Sequence, residues 1–108
     1  MAENFTNAKA AIGDAATTIY TCPSATKAIV IGCQVTNVTA STNALDFYWT
    51  DASDTDTATY LADAIGVPTQ SSYEPIGGKL VLEAGDSLVA TSSTHLGLEA
   101  TVSVLELS

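Results

Sequence analysis

The sequence predicts an all-β chain, a single antiparallel β-sandwich of jelly-roll-like type with about 7–8 short strands. Three observations predict it. Short clusters rich in Val, Ile, Thr and Tyr alternate apolar and polar side chains with a period of two. Turn residues interrupt them every ~8–12 residues, the spacing of sandwiches and small barrels. No capped, helix-periodic segments alternate with the strands, which argues against an α/β fold. The 108 residues suffice for one domain, with no linker and no repeat at solenoid spacing. Residues 1–12 are the least β-like and are expected to form an N-terminal arm or a frayed segment, leaving 13–108 as the sandwich domain.

Taken in order, Thr17 to Cys22 reads as the first strand and Pro23–Thr26 as a turn, with Pro fixing φ at its entry. Lys27 to Val38 is a long strand in which Ile29, Ile31, Cys33 and Val35 share one face and Ala28, Val30, Gly32 and Gln34 the other. Ala44 to Thr50 places Leu45, Phe47 and Trp49 opposite Asp46 and Tyr48. Thr57 to Val67 carries a helix-compatible set in Tyr60, Leu61 and Ile65, but its β-rich context favours a strand. Lys79–Leu82 and Ser87–Thr91 read as a hairpin around Glu83–Asp86, with Gly85 suited to positive φ. Leu98 to Leu107 closes the set, with Leu98, Ala100, Val102 and Val104 on one face and Thr101, Ser103, Leu105 and Leu107 on the other.

Charge narrows the partners. Three Lys+Arg stand against twelve Asp+Glu, a formal net charge of −9, and charged residues make up only 14% of the chain. Phosphate-backbone binding needs clustered basic side chains, so nucleic acid is not an expected partner. An anionic membrane surface is disfavoured for the same reason, and no run approaches the ~18 apolar residues of a membrane span. Met1 to Ala11 lacks a basic stretch followed by an apolar one, so no signal peptide is expected. Low charge with abundant Ala, Thr and Ser suits a surface that packs against protein, because few ions must be desolvated.

Motifs for chemistry are sparse. The single histidine, His95, has no readable triad partner, and no Gly-x-Ser-x-Gly elbow or Gly-rich phosphate loop occurs. No catalytic residue, no cofactor and no enzyme activity are expected. Asp51, Asp54 and Asp56 form the one metal-like cluster; close oxygen ligands suit calcium, but the spacing departs from the EF-hand loop, and a solvated turn is expected first. Cys22 and Cys33 lie in apolar segments and fit two buried thiols better than a bridge. Phe47 and Trp49 are assigned to the core. The residues assigned to an interaction surface are Phe5, Asp54, Tyr60, Ser71, Tyr73 and His95.

Three segments carry a resemblance: Thr17–Thr26 followed by Ala28–Gly32, then Gly78–Ser93 with its Leu-Glu-Ala-Gly-Asp-Ser-Leu core, then Val102–Leu107. Together they resemble small β-sandwich virion structural proteins of tailed bacteriophages, of the marine and cyanophage type. These motifs mark a scaffold and contain no active site. Cys22 and Cys33 depart from the pattern, standing where apolar residues are expected, and the Asp51–Asp56 loop is peculiar to this chain. The resemblance implies a capsid decoration or cement protein that stabilises the head through protein–protein contacts. The alternatives are a neck, tail or fibre adaptor, or a receptor- or glycan-binding module. It also implies the major capsid protein or other virion proteins as partners, a homo-oligomer with a trimer favoured, and a place in the virion, assembled in the host cytoplasm.

Overall fold

Alternating burial along the chain lays down nine strands in the computed structural model, which describes residues 3–108. They are β1 (Glu3–Ile12), β2 (Thr17–Thr21), β3 (Lys27–Asn37), β4 (Asn43–Asp51), β5 (Thr57–Val67), β6 (Ser72–Tyr73), β7 (Leu80–Leu82), β8 (Ser87–Ser92) and β9 (Leu98–Leu107). A single 3₁₀ turn, Ala52–Asp54, follows β4. The strands form two antiparallel sheets packed as a sandwich. The first sheet has the order β1-β9-β3-β6, with β7 also on β3; the second has the order β2-β8-β4-β5.

The count exceeds the predicted seven or eight because β1 and β6 join the set. Residues 1–12 were expected to be an arm or a frayed segment. Met1 and Ala2 lie outside the described residues, but from Glu3 to Ile12 the chain pairs with β9 without a break, Glu3 opposite Leu107 and Ile12 opposite Leu98. Its sequence looks weakly β because its inward side chains are small: Ala8 and Ala10 pack on the core and only Ile12 is fully buried. Strand formation here comes from pairing with β9, which is a tertiary effect that local propensity does not report.

The expected Lys79–Thr91 hairpin is an arch, and so is the connection through the Pro23–Thr26 turn. β2 lies in the second sheet and β3 in the first; β7 lies in the first and β8 in the second. Turn residues specify a reversal of direction but not whether the strands then pair or face each other. Packing decides it: Leu82 and Leu88 are both fully buried and flank the Glu83–Asp86 turn. In the arch they contribute to the core from opposite sheets. Gly85 does take positive φ, at 89°, and an added Cβ there would stand 3.0 Å from the Ala52 side chain. β4 and β5 are the one pair of chain neighbours that form a hairpin.

β3 also departs from simple alternation. Its register against β9 shifts between Val30 and Gly32, which marks a β-bulge at Ile31. Ala28 and Val30 face the core before the bulge, and Cys33, Val35 and Asn37 face it afterwards. Ile31 is extruded and 44% exposed, so the predicted Ile29–Ile31–Cys33–Val35 face does not exist as one surface.

The core lies between the sheets. Phe47 and Leu45 from β4, Leu88 and Ala90 from β8, Val102 and Val104 from β9 and Val35 from β3 are essentially buried. Trp49 packs on the edge of this cluster, half-buried. A buried polar clamp closes each end. At one end the carboxyl of Asp86, 2% exposed, accepts from the Ala52 amide at 2.9 Å and the Glu83 amide at 2.9 Å. At the other, the Asn37 side chain donates to the carbonyls of Ser41 and Val67 and accepts from the Thr39 amide. Asn43 donates to the same Asn37 oxygen and to the Thr39 hydroxyl.

Two substitutions separate core from clamp. Phe47→Ala is expected to lower unfolding free energy by about 3–5 kcal/mol through lost burial and a residual cavity. Asp86→Ala strands two amide donors and is expected to remove about 2 kcal/mol or more. Urea unfolding followed by circular dichroism reads both.

Candidate interaction surface

The side chains available for contact are set by the outward half of each strand. On the first sheet the pairing of β1, β9, β3 and β7 aligns Phe5, Leu105, Ile29 and Val81 across four strands. Phe5 is 70% exposed and Val81 58% exposed. On the second sheet the same logic aligns Thr18, Val89, Tyr48 and Tyr60 across β2, β8, β4 and β5. The Tyr48 and Tyr60 rings lie 4.9 Å apart, tilted by 36°. Val89 is nearly covered by its neighbours although it points away from the core.

The six residues assigned to a surface from sequence do not converge. Phe5 and Tyr60 lie on opposite broad faces. Asp54 sits in the β4–β5 connection, at the same end as the Asp86 clamp. Ser71 lies at the Asn37 end, where its carbonyl accepts from the Asn37 amide at 2.8 Å. Tyr73 is on the short β6, half-buried and opposite Val35. His95, beside Gly13 at that same end, places Nδ1 3.4 Å from Asp14 Oδ1, with both side chains about two-thirds exposed. Such an open contact is worth little.

The acidic loop has structural work of its own. Asp51 caps the 3₁₀ turn, accepting from the Ser53 amide at 3.0 Å and the Ser53 hydroxyl at 2.6 Å. The Asp54 carbonyl accepts from the Thr57 hydroxyl at 2.5 Å. Among the described residues, no three His, Cys, Asp or Glu side chains converge on a point that could hold a metal ion. At this end an open groove of about 560 Å³ runs past Thr26, Lys27, Ser53, Glu83 and Leu107.

Leu105, Ile29 and Val81 were missed as surface residues, whereas alternation along β4 already turned Tyr48 away from Phe47 and Trp49. The neighbours of the missed three are cross-strand, and no local pattern names them. One signal was present: Gly32 follows an apolar run inside a strand, a position that often marks a bulge.

The thiols and one phenol are held by burial. Cys22 and Cys33 are both buried and unbridged. Burial raises the Cys22 pKa, helped by Asp86 and Glu106. Cys33 is pushed up to about 12, first by burial and then by Glu74. Tyr20 donates to Glu106 at 2.5 Å, and burial, followed by that bond, drives its pKa upward.

Comparison with solved structures places the fold in company. Over 99% of this chain and 87% of the other, it is similar to a subunit of the disulfide-linked pili of Bacillus endospore appendages, with a TM-score of 0.59 and 13% identity. A chain of the T13 particle of infectious bursal disease virus matches 96% of this one with a TM-score of 0.57 and 10% identity. A triple-jelly-roll protein of an archaeal virus matches 97% with a TM-score of 0.56 and 17% identity. The present chain spans only 30% and 28% of those two viral chains. No family model and no curated protein matches the sequence. At these identities the likeness defines a fold class: a jelly-roll-like sandwich of the kind found in virus particles and in a pilus.

The raised Cys33 pKa predicts the sign of a pH effect. Burial favours the neutral thiol, so its contribution to stability is complete below the unfolded-state value near ~8.5. It is lost as pH rises toward 12. Unfolding free energy should therefore fall through alkaline pH, and less steeply in Cys33→Ala. In the same range the native protein should resist thiol reagents that label it fully in urea.

Proposed function

We propose that the chain is a structural protein of a virus particle, a capsid decoration or cement protein of a tailed bacteriophage, without catalytic activity. The observation that carries the reading is the fold. Nearly the whole chain matches proteins that belong to a pilus and to virus particles, assemblies built from repeated copies. Its partners are then the major capsid protein or other virion proteins, and its place is the virion, assembled in the host cytoplasm. A trimer suits the threefold positions where capsomers meet, and a larger closed ring would suit the neck or tail.

The physical properties support this role. A rigid sandwich presents two broad faces whose outward rows are mostly Thr, Ser, Ala and apolar side chains. Such a face can be covered with little ion desolvation. Apolar burial then contributes ~25 cal/mol per Å², less the ordering lost on docking. Repetition over a symmetric lattice multiplies a weak contact through effective concentration.

Phage heads assembled with and without the chain provide the test. Heads lacking it should release DNA at a lower temperature and after a milder osmotic shock, and adding the purified protein should restore resistance. Equal resistance in both preparations would remove the decoration role.

A further inference from the structure

The two broad faces differ in charge as well as in texture. On the first sheet the apolar row Phe5–Leu105–Ile29–Val81 is flanked by the row Glu3–Leu107–Lys27, and further along by the row Lys9–Thr101–Gln34. Here Lys9 and Lys27 share the sheet with Glu3, Glu99 and Glu106, and Glu74 and Glu83 directly follow β6 and β7. The third basic side chain, Lys79, immediately precedes β7 of the same sheet. The strands of the second sheet carry no basic side chain. Asp46, Asp51 and Asp63 lie on its strands, Asp54 and Asp56 in the β4–β5 connection, and no Lys or Arg stands on any of these segments. Its outward centre is the Thr18–Val89–Tyr48–Tyr60 row.

We propose that the Phe5–Leu105–Ile29–Val81 stripe of one molecule receives the Tyr48–Tyr60 face of a second copy. Each half is incomplete alone. An outward apolar row with exposed ends, Phe5 and Val81, and a half-buried centre, Leu105 and Ile29, suits an interaction surface, and an aromatic centre with a polar rim is what a protein interface presents to such a row. Charge selects the pairing. Stripe on stripe would leave the acidic second sheet without a basic partner, and tyrosine face on tyrosine face would bring two uncompensated acidic surfaces together. Stripe on tyrosine face sets lysines against Asp46 and its acidic neighbours. Size permits it: the molecule measures 45 × 27 × 20 Å, so either broad face can supply the ~800 Å² per partner of a stable interface. Because the two patches differ, the contact is heterologous and propagates into a ring or a stack. The inference concerns contact between copies; the virion reading needs only contact with the capsid, so either can fail without the other.

Complementary variants test it. Phe5→Asp with Val81→Asp spoils the stripe and leaves the tyrosine face intact. Tyr60→Lys spoils the tyrosine face and leaves the stripe intact. All three positions are more than half exposed, and circular dichroism checks that each variant folds. Size-exclusion chromatography with light scattering then follows mass against concentration at low and high salt. The unmodified protein should associate beyond a dimer, less so at high salt, and each variant alone should be monomeric. Their equimolar mixture should form a one-to-one dimer and nothing larger. Self-association of the Tyr60→Lys protein would show stripe-to-stripe pairing and overturn the proposal. So would a monomeric mixture, or an unmodified protein that stays monomeric at every concentration.

Discussion

The chain changes sheets at most of its connections, and the buried carboxyl of Asp86 lets two of those arches and the β4–β5 hairpin meet at one end of the sandwich. An arch, unlike a hairpin, leaves backbone groups outside any ladder, and buried backbone groups require partners. Asp86 provides them from both its side chain and its main chain. Its carboxyl oxygens take the amides of Ala52 and Glu83. Its carbonyl takes the Cys22 amide at 2.8 Å, while the Gly85 amide reaches back to the Cys22 carbonyl at 2.9 Å. The β2–β3 arch, the β4–β5 connection and the β7–β8 arch are thereby tied at one residue. Asn37 performs the equivalent task at the far end, between the β3–β4 loop and the close of β5.

With both ends clamped, the faces are free to differ. The inner faces are apolar through their middle, with buried polar groups such as Asn37 and Asn43 confined to the ends. The outer faces answer to whatever covers them. Every basic side chain lies on or beside the first sheet, and the bulge at Ile31 adds a further exposed apolar group to a strand of that sheet. An asymmetric object of this kind can be packed directionally, a useful property in a particle built by repetition.

Most of the secondary structure was legible in the sequence. Period-two patterning named seven of the strands, including Thr57–Val67, where helical spacing competed, and it placed Phe47 in the core. β1 was not legible, because Ala8 and Ala10 give a weak signal and the strand exists through its partner β9. The β7–β8 arch read as a hairpin, and the Pro23–Thr26 turn left its kind open, because both segments encode a reversal and say nothing of which sheet follows. The surface was the least legible part. Phe5 and Tyr60 were named and alternation turned Tyr48 outward, but Leu105 and Ile29 join Phe5 only through register, which depends on contacts far apart in sequence.

The position of β9 bears on how the molecule is made. This strand lies inside the first sheet, hydrogen-bonded on one side to β1 and on the other to β3, yet it is the last of the nine along the chain. β1 therefore has no partner until the whole unit has been synthesised, and the first sheet cannot begin to assemble from its N-terminal end as it emerges. The second sheet is complete in sequence once β8 exists. Folding is thus ordered by topology: it relies on distant pairings, which are slow to form, and until β9 arrives the nascent chain carries an unpaired edge that is open to aggregation.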